Sequence, residues 1–227
     1  MVGRFYDARL QGLNQVVVSE VFKTFNMIQK MRWWVIVLCG LTANVSAQDF
    51  TRYNWYFGNS NAAIRFSRSD NSASLVTNQK LPFGTGGSAV ATNPINADLM
   101  FYTDGSRVYD ISGVATPMPN GTGLLGNTNG NQPVAICPVP GAPNQYYVFT
   151  NNANGAAGGS IVFSIVDMTL PGNSTFGAPF TGEVTTKNQP IAGLTNRSEA
   201  MLVVPHDNGT DYWLITHENQ TDNYAVT

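Results

Sequence analysis

Short aromatic and aliphatic runs, each closing on a threonine and a polar residue, recur along the chain: LMFYTD at 99–104, YYVFTN at 146–151 and YWLITHE at 212–218. A turn follows each, and then a second short run: SRVYDIS at 106–112, GSIVFSIVDM at 159–168 and DNYAVT at 222–227. Runs of this length and composition, separated by polar and glycine-containing turns, predict strands paired as hairpins. In the first pair the turn contains Asp104 and Gly105, a strong hairpin signal. After Gln48 no stretch of ten or more residues keeps apolar positions three and four apart without Gly or Pro, so helix is expected to be nearly absent.

The closing threonines, Thr103, Thr150 and Thr216, are 47 and 66 residues apart. A repeat of roughly 40–50 residues is the size of one propeller blade. The longer interval has room for an inserted loop, for which TLPGNSTFGAPFTG at 169–182 is the candidate. A blade is covered on both faces, so its middle strands should be apolar nearly throughout, as IVFSIV and YYVF are. The predicted fold is all-β: an incomplete β-propeller of the WD40/YVTN-like kind, with a β-sandwich as the alternative. Closed propellers have typically 4–8 blades. Three hairpins, the third ending at Thr227, lead to the expectation of an amino-terminal fragment whose unpaired edges favour aggregation.

Ahead of these repeats stands a different pattern. Lys30 and Arg32 precede an apolar stretch of nine residues, Trp33 to Leu41, and a polar exit ends in Val45, Ser46 and Ala47. This is the three-part pattern of a secretory signal peptide over 27–47, with cleavage between Ala47 and Gln48. The stretch is about half of the roughly 20 residues a spanning helix needs, so no retained transmembrane anchor is expected. Cys39 lies inside the stretch with Leu38 before it, which disfavours lipidation. Residues 1–26 read as an upstream start ahead of a true start at Met27 or Met31, the alternative being a leader with a short amphipathic helix over 16–25. The expected location is secreted, or at the outer cell surface.

Composition narrows the partners. Residues 48–227 carry seven Lys or Arg against twelve Asp or Glu, a net charge near −5 with no basic stripe, so nucleic acid is not an expected partner. Cys137, the single cysteine in that part, has no internal disulfide partner, and its alternation with Val134 and Ile136 places it on a strand edge as a packed thiol. Abundant Asn and Gly suit tight turns, because both tolerate left-handed backbone angles. Asn120, Asn173, Asn196, Asn208 and Asn219 begin Asn-x-Ser/Thr triplets, glycan acceptors only in a eukaryotic secretory pathway.

Little of this sequence points to catalysis. His206, Asp207, His217 and Glu218 supply zinc-type ligand atoms if the hairpin between them joins its ends, but HENQT lacks the spacing that sets two histidines on one helical face. The favoured reading makes His206 a loop residue and His217 a strand-end residue. Asp104 with Gly105 lacks the ladder of oxygen ligands that calcium loops carry. GTGGS at 84–88 and GTGLLGN at 121–127 lack the Lys-Ser/Thr ending of a phosphate loop and read as turns. No cofactor is expected. Trp55, Tyr56, Phe57, Tyr102, Tyr109, Tyr146, Tyr147, Tyr212 and Trp213 include candidates for a sugar-stacking surface, foremost Trp55, Tyr102, Tyr147 and Trp213, with inter-blade packing as the competing role.

Several segments in order carry a family likeness: NWYFG at 54–58 with AAIRFS after it, LMFYTDG at 99–105, MPNGTGLLGN at 118–127, PVPGAPNQYYVFT at 138–150, SIVDMTLPG at 164–172, GEVTTKN at 182–188 and HDNGTDYWLITHE at 206–218. Together they resemble the amino-terminal, propeller-like region of large secreted Bacteroidetes proteins. Such proteins often carry immunoglobulin-like or PKD-type modules and a carboxy-terminal sorting domain of the gliding-associated or type IX secretion kind. The resemblance implies a non-catalytic module of a large multidomain protein that contacts a surface protein or glycan, exported through a carboxy-terminal domain not represented in these residues. It carries no catalytic residues over. The alternatives are a polysaccharide-active hydrolase or lyase, with residues near His206 and His217 in the funnel, and a structural spacer. The stretches GTGGSAVATNPINADL and GAAGGS at 155–160 depart from the family pattern.

Overall fold

The computed structural model describes residues 53–57, 62–77, 84–113, 115–174 and 179–227. The chain divides into two units, Met1–Ala47 and Gln48–Thr227. The leader, Cys39 and the cleavage position at Ala47 and Gln48 lie outside the described residues. Among those residues the secondary structure is all β, and no helix is long and apolar enough to cross a membrane.

Among the described residues four small antiparallel sheets follow one another, each with its strands side by side in chain order. The first holds β1 (Asn54–Tyr56), β2 (Ala62–Phe66) and β3 (Ala73–Thr77). β4 (Ala89–Thr92), β5 (Leu99–Thr103), β6 (Arg107–Tyr109) and β7 (Pro117–Thr122) make the second. The third contains β8 (Val134–Val139), β9 (Ala142–Asn151), β10 (Ile161–Asp167) and β11 (Glu183–Pro190). β12 (Arg197–Pro205), β13 (Tyr212–Glu218) and β14 (Tyr224–Val226) form the fourth.

The repeated threonine has a structural counterpart. Thr103, Thr150 and Thr216 each lie in the second strand of a sheet and are buried. Their cross-strand neighbours correspond: Ala89 and Val108, Val134 and Val162, Met201 and Ala225. After Thr103 the chain turns through Gly105, whose φ of 87° is in the left-handed region. Asp104 Oδ1 holds that turn by accepting from the backbone N–H of Ser106 and Arg107, each at 2.9 Å.

Successive sheets meet in series, with β1 beside β4, β4 beside β8, β8 beside β12, and β7 beside β11. Phe101, Val108 and Met118 of the second sheet join Val134, Tyr146, Val148 and Val166 of the third in one buried cluster. A second cluster joins Ile161 of the third sheet to Met201 and Leu214 of the fourth, with Ala135 and Phe149 packed against it. Burying apolar side chains between sheets is the main favourable term such a layered fold has.

The connections also pack. Between β10 and β11, Pro171 O accepts from Thr181 N–H (3.2 Å) and Leu170 O from Gly182 N–H (3.2 Å), and Asn173 Nδ2 donates to Asp110 Oδ2 (2.7 Å) and to the Pro117 carbonyl (2.8 Å). The glycine-rich segment 84–88 lies against residues 128–130, which follow the second one: the N–H of Gly86 donates to Thr128 O (2.8 Å) and that of Gly87 to Gly130 O (3.0 Å). A Cβ on Gly86 would stand 2.2 Å from Gly130 O, so glycine is required by a close backbone approach. Glu199 joins three segments, its carboxylate accepting from Asn131 N and Gly155 N, each at 3.0 Å, and from Asn131 Nδ2 at 2.6 Å. Those bonds hold its carboxyl below the ordinary glutamate value.

Cys137 lies in β8, the edge strand of the third sheet, and burial pushes its thiol up to about 12. Because the thiolate is the reactive form, Cys137 should resist a thiol reagent in the folded protein and react only as the protein unfolds. Timed labelling of a Cys39→Ser variant with and without denaturant checks this, and fast labelling of native protein would contradict it.

Candidate functional site

A cleft of about 340 Å³ opens between the first and second sheets. Tyr56, Arg65 and Val76 line it from one side, and Leu99, Tyr102, Asp110, Ile111 and Gly113 from the other. Its size falls in the range of about 300–1,000 Å³ usual for small-ligand sites, and its lining mixes polar and apolar groups in equal share.

Stacked tyrosines build the wall. Tyr56 at the end of β1 lies parallel to Tyr102 of β5, ring centroids 5.2 Å apart, and Tyr102 stacks in turn on Tyr109 of β6 at 5.3 Å. Register explains the second contact, because Tyr102 and Tyr109 are directly opposed across β5 and β6. Burial raises the pKa of all three phenols, so they remain neutral at physiological pH. Tyr102 Oη accepts from Ala115 N–H at 3.3 Å, which ties the following loop to the same wall.

The polar groups are held differently. Arg65 is exposed, and its Nε donates to Asn54 Oδ1 at 3.1 Å. Asn54 is itself buried, its Nδ2 donating to Thr92 Oγ1 (3.2 Å) and to Ala97 O (3.0 Å), so it fixes the arginine against the second sheet's β4 and the loop after it. Asp110 is buried and already engaged: Oδ1 accepts from Ser112 N (2.9 Å) and Ser112 Oγ (2.6 Å), while Oδ2 accepts from Asn173 Nδ2 (2.7 Å). The arrangement therefore offers a ligand the accessible part of Tyr56, an aliphatic rim and one guanidinium, with the buried Tyr102 backing Tyr56 and the carboxylate serving the loop structure.

The aromatic candidates do not share one surface. Tyr102 lines the cleft just described, whereas Tyr147 lines a smaller apolar cavity of about 180 Å³ with Cys137, Phe149, Tyr212 and Leu214. Trp55 and Trp213 are exposed on the first and fourth sheets respectively. Trp55 packs edge-on against Phe66 at 5.2 Å.

His206 and His217 are likewise apart. Pro205 pairs with Tyr212 at the turn end of the β12–β13 hairpin and Arg197 with Glu218 at its other end, which puts His206 at the turn and His217 near the opposite end. At about 3.3 Å per residue the strand between them spans well over the reach of a shared ion. The His206 ring lies 4.8 Å from Trp213, and its Nδ1 accepts from Asn208 N–H (3.1 Å). His217 lies 4.9 Å from the Tyr224 ring with Nδ1 3.1 Å from Ser198 Oγ, and Glu218 Oε2 accepts from Asn223 Nδ2 (3.0 Å). Among the described residues no three His, Cys, Asp or Glu side chains gather into a metal-holding group.

Four of the five triplet asparagines use their amides in the fold. Asn120 Nδ2 donates to Val184 O, Asn173 to Asp110, Asn208 to Asp211 and Asn219 to Ala156 O. Arg65 and Asp110 were not separable from ordinary surface charges in the sequence, since only the packing of β2 near the loop after β6 brings them to one cleft. The chain matches no family model, no curated protein and no solved structure.

Proposed function

We propose that this chain is a non-catalytic contact module of an exported, multidomain protein, and that it binds glycan through the cleft between its first and second sheets. The observation that supports this reading is the Tyr56–Tyr102 stack beside Arg65 in a cleft of about 340 Å³. Sugar rings present apolar C–H faces and polar rims, which an aromatic wall with one multi-donor cation can satisfy together. In the same proposal the sheets are blades of a β-propeller-type arrangement, a reading supported by sheets built from consecutive strands with the first strand of each beside the first strand of the next. The ordered resemblance to secreted Bacteroidetes proteins, and the leader ahead of Gln48, point toward the cell exterior as its place of action.

The test is retention of purified protein on a panel of immobilised polysaccharides and glycans, followed by Tyr56→Ala and Arg65→Ala. Each variant is expected to weaken binding by about tenfold or more, the loss of one good stacking or charge-assisted contact. Retention by no glycan, or binding unchanged in both variants, would remove this cleft from the function.

A further inference from the structure

The two charged groups of the cleft between the first and second sheets stand on opposite walls. On the first sheet, register puts Arg65 in one cross-strand row with Asn54 and Ser74, and Tyr56 with Ala63 and Val76 in the row two positions on. Side chains alternate along a strand, so both rows share one face. That face is turned to the second sheet, as Asn54 bonding to Thr92 and Tyr56 stacking on Tyr102 show. Asp110 lines the cleft from the second sheet's side, and among the described residues no ion pair joins it to Arg65.

The two groups differ in what they have left to offer. A guanidinium carries five N–H donors in one plane. Arg65 gives its Nε–H to Asn54 Oδ1 at 3.1 Å, and among the described residues no acceptor takes the donors on its Nη atoms. Asn54 is buried and clamped by Thr92 and Ala97, so the guanidinium is oriented before any ligand arrives, with its two-Nη end free. Asp110, by contrast, is buried and accepts from Ser112 N, Ser112 Oγ and Asn173 Nδ2. A ligand's anionic group is therefore drawn to the first sheet's wall and repelled from the second's. Tyr56 does not oppose it, since burial raises its pKa and keeps the phenol neutral.

We propose, on the reading that this cleft binds glycan, that its ligand is acidic: a sugar whose ring carries a carboxylate, as a hexuronic acid does, paired end-on with the two Nη groups of Arg65. A carboxylate accepts two parallel N–H bonds in the plane of a guanidinium, a match of geometry as well as charge. The hydroxymethyl group of a neutral hexose puts one oxygen and no charge at the same ring position, and leaves the fork half used. Tyr56, on the same face as Arg65, packs against the ring beside that carboxylate. Bulk charge does not favour such a ligand, because residues 48–227 carry seven Lys or Arg against twelve Asp or Glu. Affinity for a polyanion must then come from a local site.

The test compares binding of the full chain to polygalacturonate and to the same polymer with its carboxylates methyl-esterified, with dextran sulfate as a polyanion lacking carboxylates. Wild type is expected to bind the acid at least about tenfold more tightly than the ester or the sulfate, the loss of one charge-assisted bidentate contact. Arg65→Gln should bind acid and ester alike, and Arg65→Lys should recover only part of the preference, because an ammonium keeps the charge without the fork. Tyr56→Ala should weaken acid and ester by the same factor and leave their ratio unchanged. Circular dichroism matching wild type shows that each variant is folded. Ester bound as tightly as acid, or an acid preference that survives Arg65→Gln, overturns the acidic ligand; if Tyr56→Ala still weakens binding, the glycan cleft stands without it. Dextran sulfate bound as tightly as polygalacturonate overturns the carboxylate. Retention on no glycan of any kind removes the cleft reading and this ligand together.

Discussion

Phe101→Ala should lower the unfolding free energy by about 3–5 kcal/mol, the range for a buried aromatic truncated in a well-packed core. Phe101 is fully buried in β5 and meets Tyr146 of β9 edge to face, with ring centroids 5.6 Å apart and planes 81° apart. Tyr146 in turn donates from its hydroxyl to Met100 Sδ at 3.1 Å, so the ring is held on both sides of the seam. Removing Phe101 leaves a cavity bounded by Val108, Met118, Val148 and Val166, residues of four different strands that cannot all move inward. Leu75→Ala is the control: at an exposed position of the first sheet it should change stability by no more than about 0.5 kcal/mol. Urea unfolding reads both, as a lower midpoint with unchanged slope for Phe101→Ala. A loss below about 1 kcal/mol would mean that the second and third sheets do not unfold as one unit.

The same seam explains how far the fold could be read in advance. Strands β5, β9 and β10 lie in the middle of sheets that meet a neighbour on each face, and their apolar character comes from that cover, which a linear pattern records. The outer strands carry no such signature. β7 reads PMPNGT, with two prolines and Asn120 at a φ of 56°, because an edge strand does not need every N–H for a ladder. β11, EVTTKNQP, is polar and shifts register twice against β10. Hydrophobic periodicity is blind to both. The first sheet is short: AAIRFS reads as a strand and is β2, while β1 is fixed by Asn54 and Tyr56 reaching the second sheet.

The candidate site was less legible still. Tyr56 and Tyr102 stand out as aromatic residues, yet nothing local distinguishes the pair that stacks from Tyr147, which packs against Phe149 and Phe163 inside the third sheet. Arg65 acquires meaning through Asn54, whose side chain is fixed by Thr92 and Ala97, 38 and 43 residues further along. Conversely, His206 and His217 look close in the sequence and are separated by hairpin geometry, since residues near the turn and residues near the open end of a hairpin cannot meet. Long-range packing decided each of these cases, and packing is what a pattern of single residues does not encode.

The repeated threonine allows a sharper test, because one position in three sheets carries two different physical roles. Thr103 Oγ1 accepts from Gly105 N–H at 3.0 Å inside the turn, whereas the buried hydroxyls of Thr150 and Thr216 have no hydrogen-bond partner among the described residues. Valine has nearly the same shape and no hydroxyl. Thr103→Val should therefore cost about 1–3 kcal/mol by leaving a buried N–H unsatisfied. Thr150→Val and Thr216→Val should each raise stability by about 1 kcal/mol, since they remove a buried polar group that gains nothing from its burial. The three substitutions share strand position, flanking apolar neighbours and chemistry, so propensity differences largely cancel between them and the sign isolates the hydrogen bond. Thermal and denaturant unfolding measure all three. If Thr150→Val and Thr216→Val destabilise as much as Thr103→Val, the hydroxyl is a hydrogen-bonding element of every repeat, and the turn after each second strand must be organised as the one at Asp104–Gly105 is.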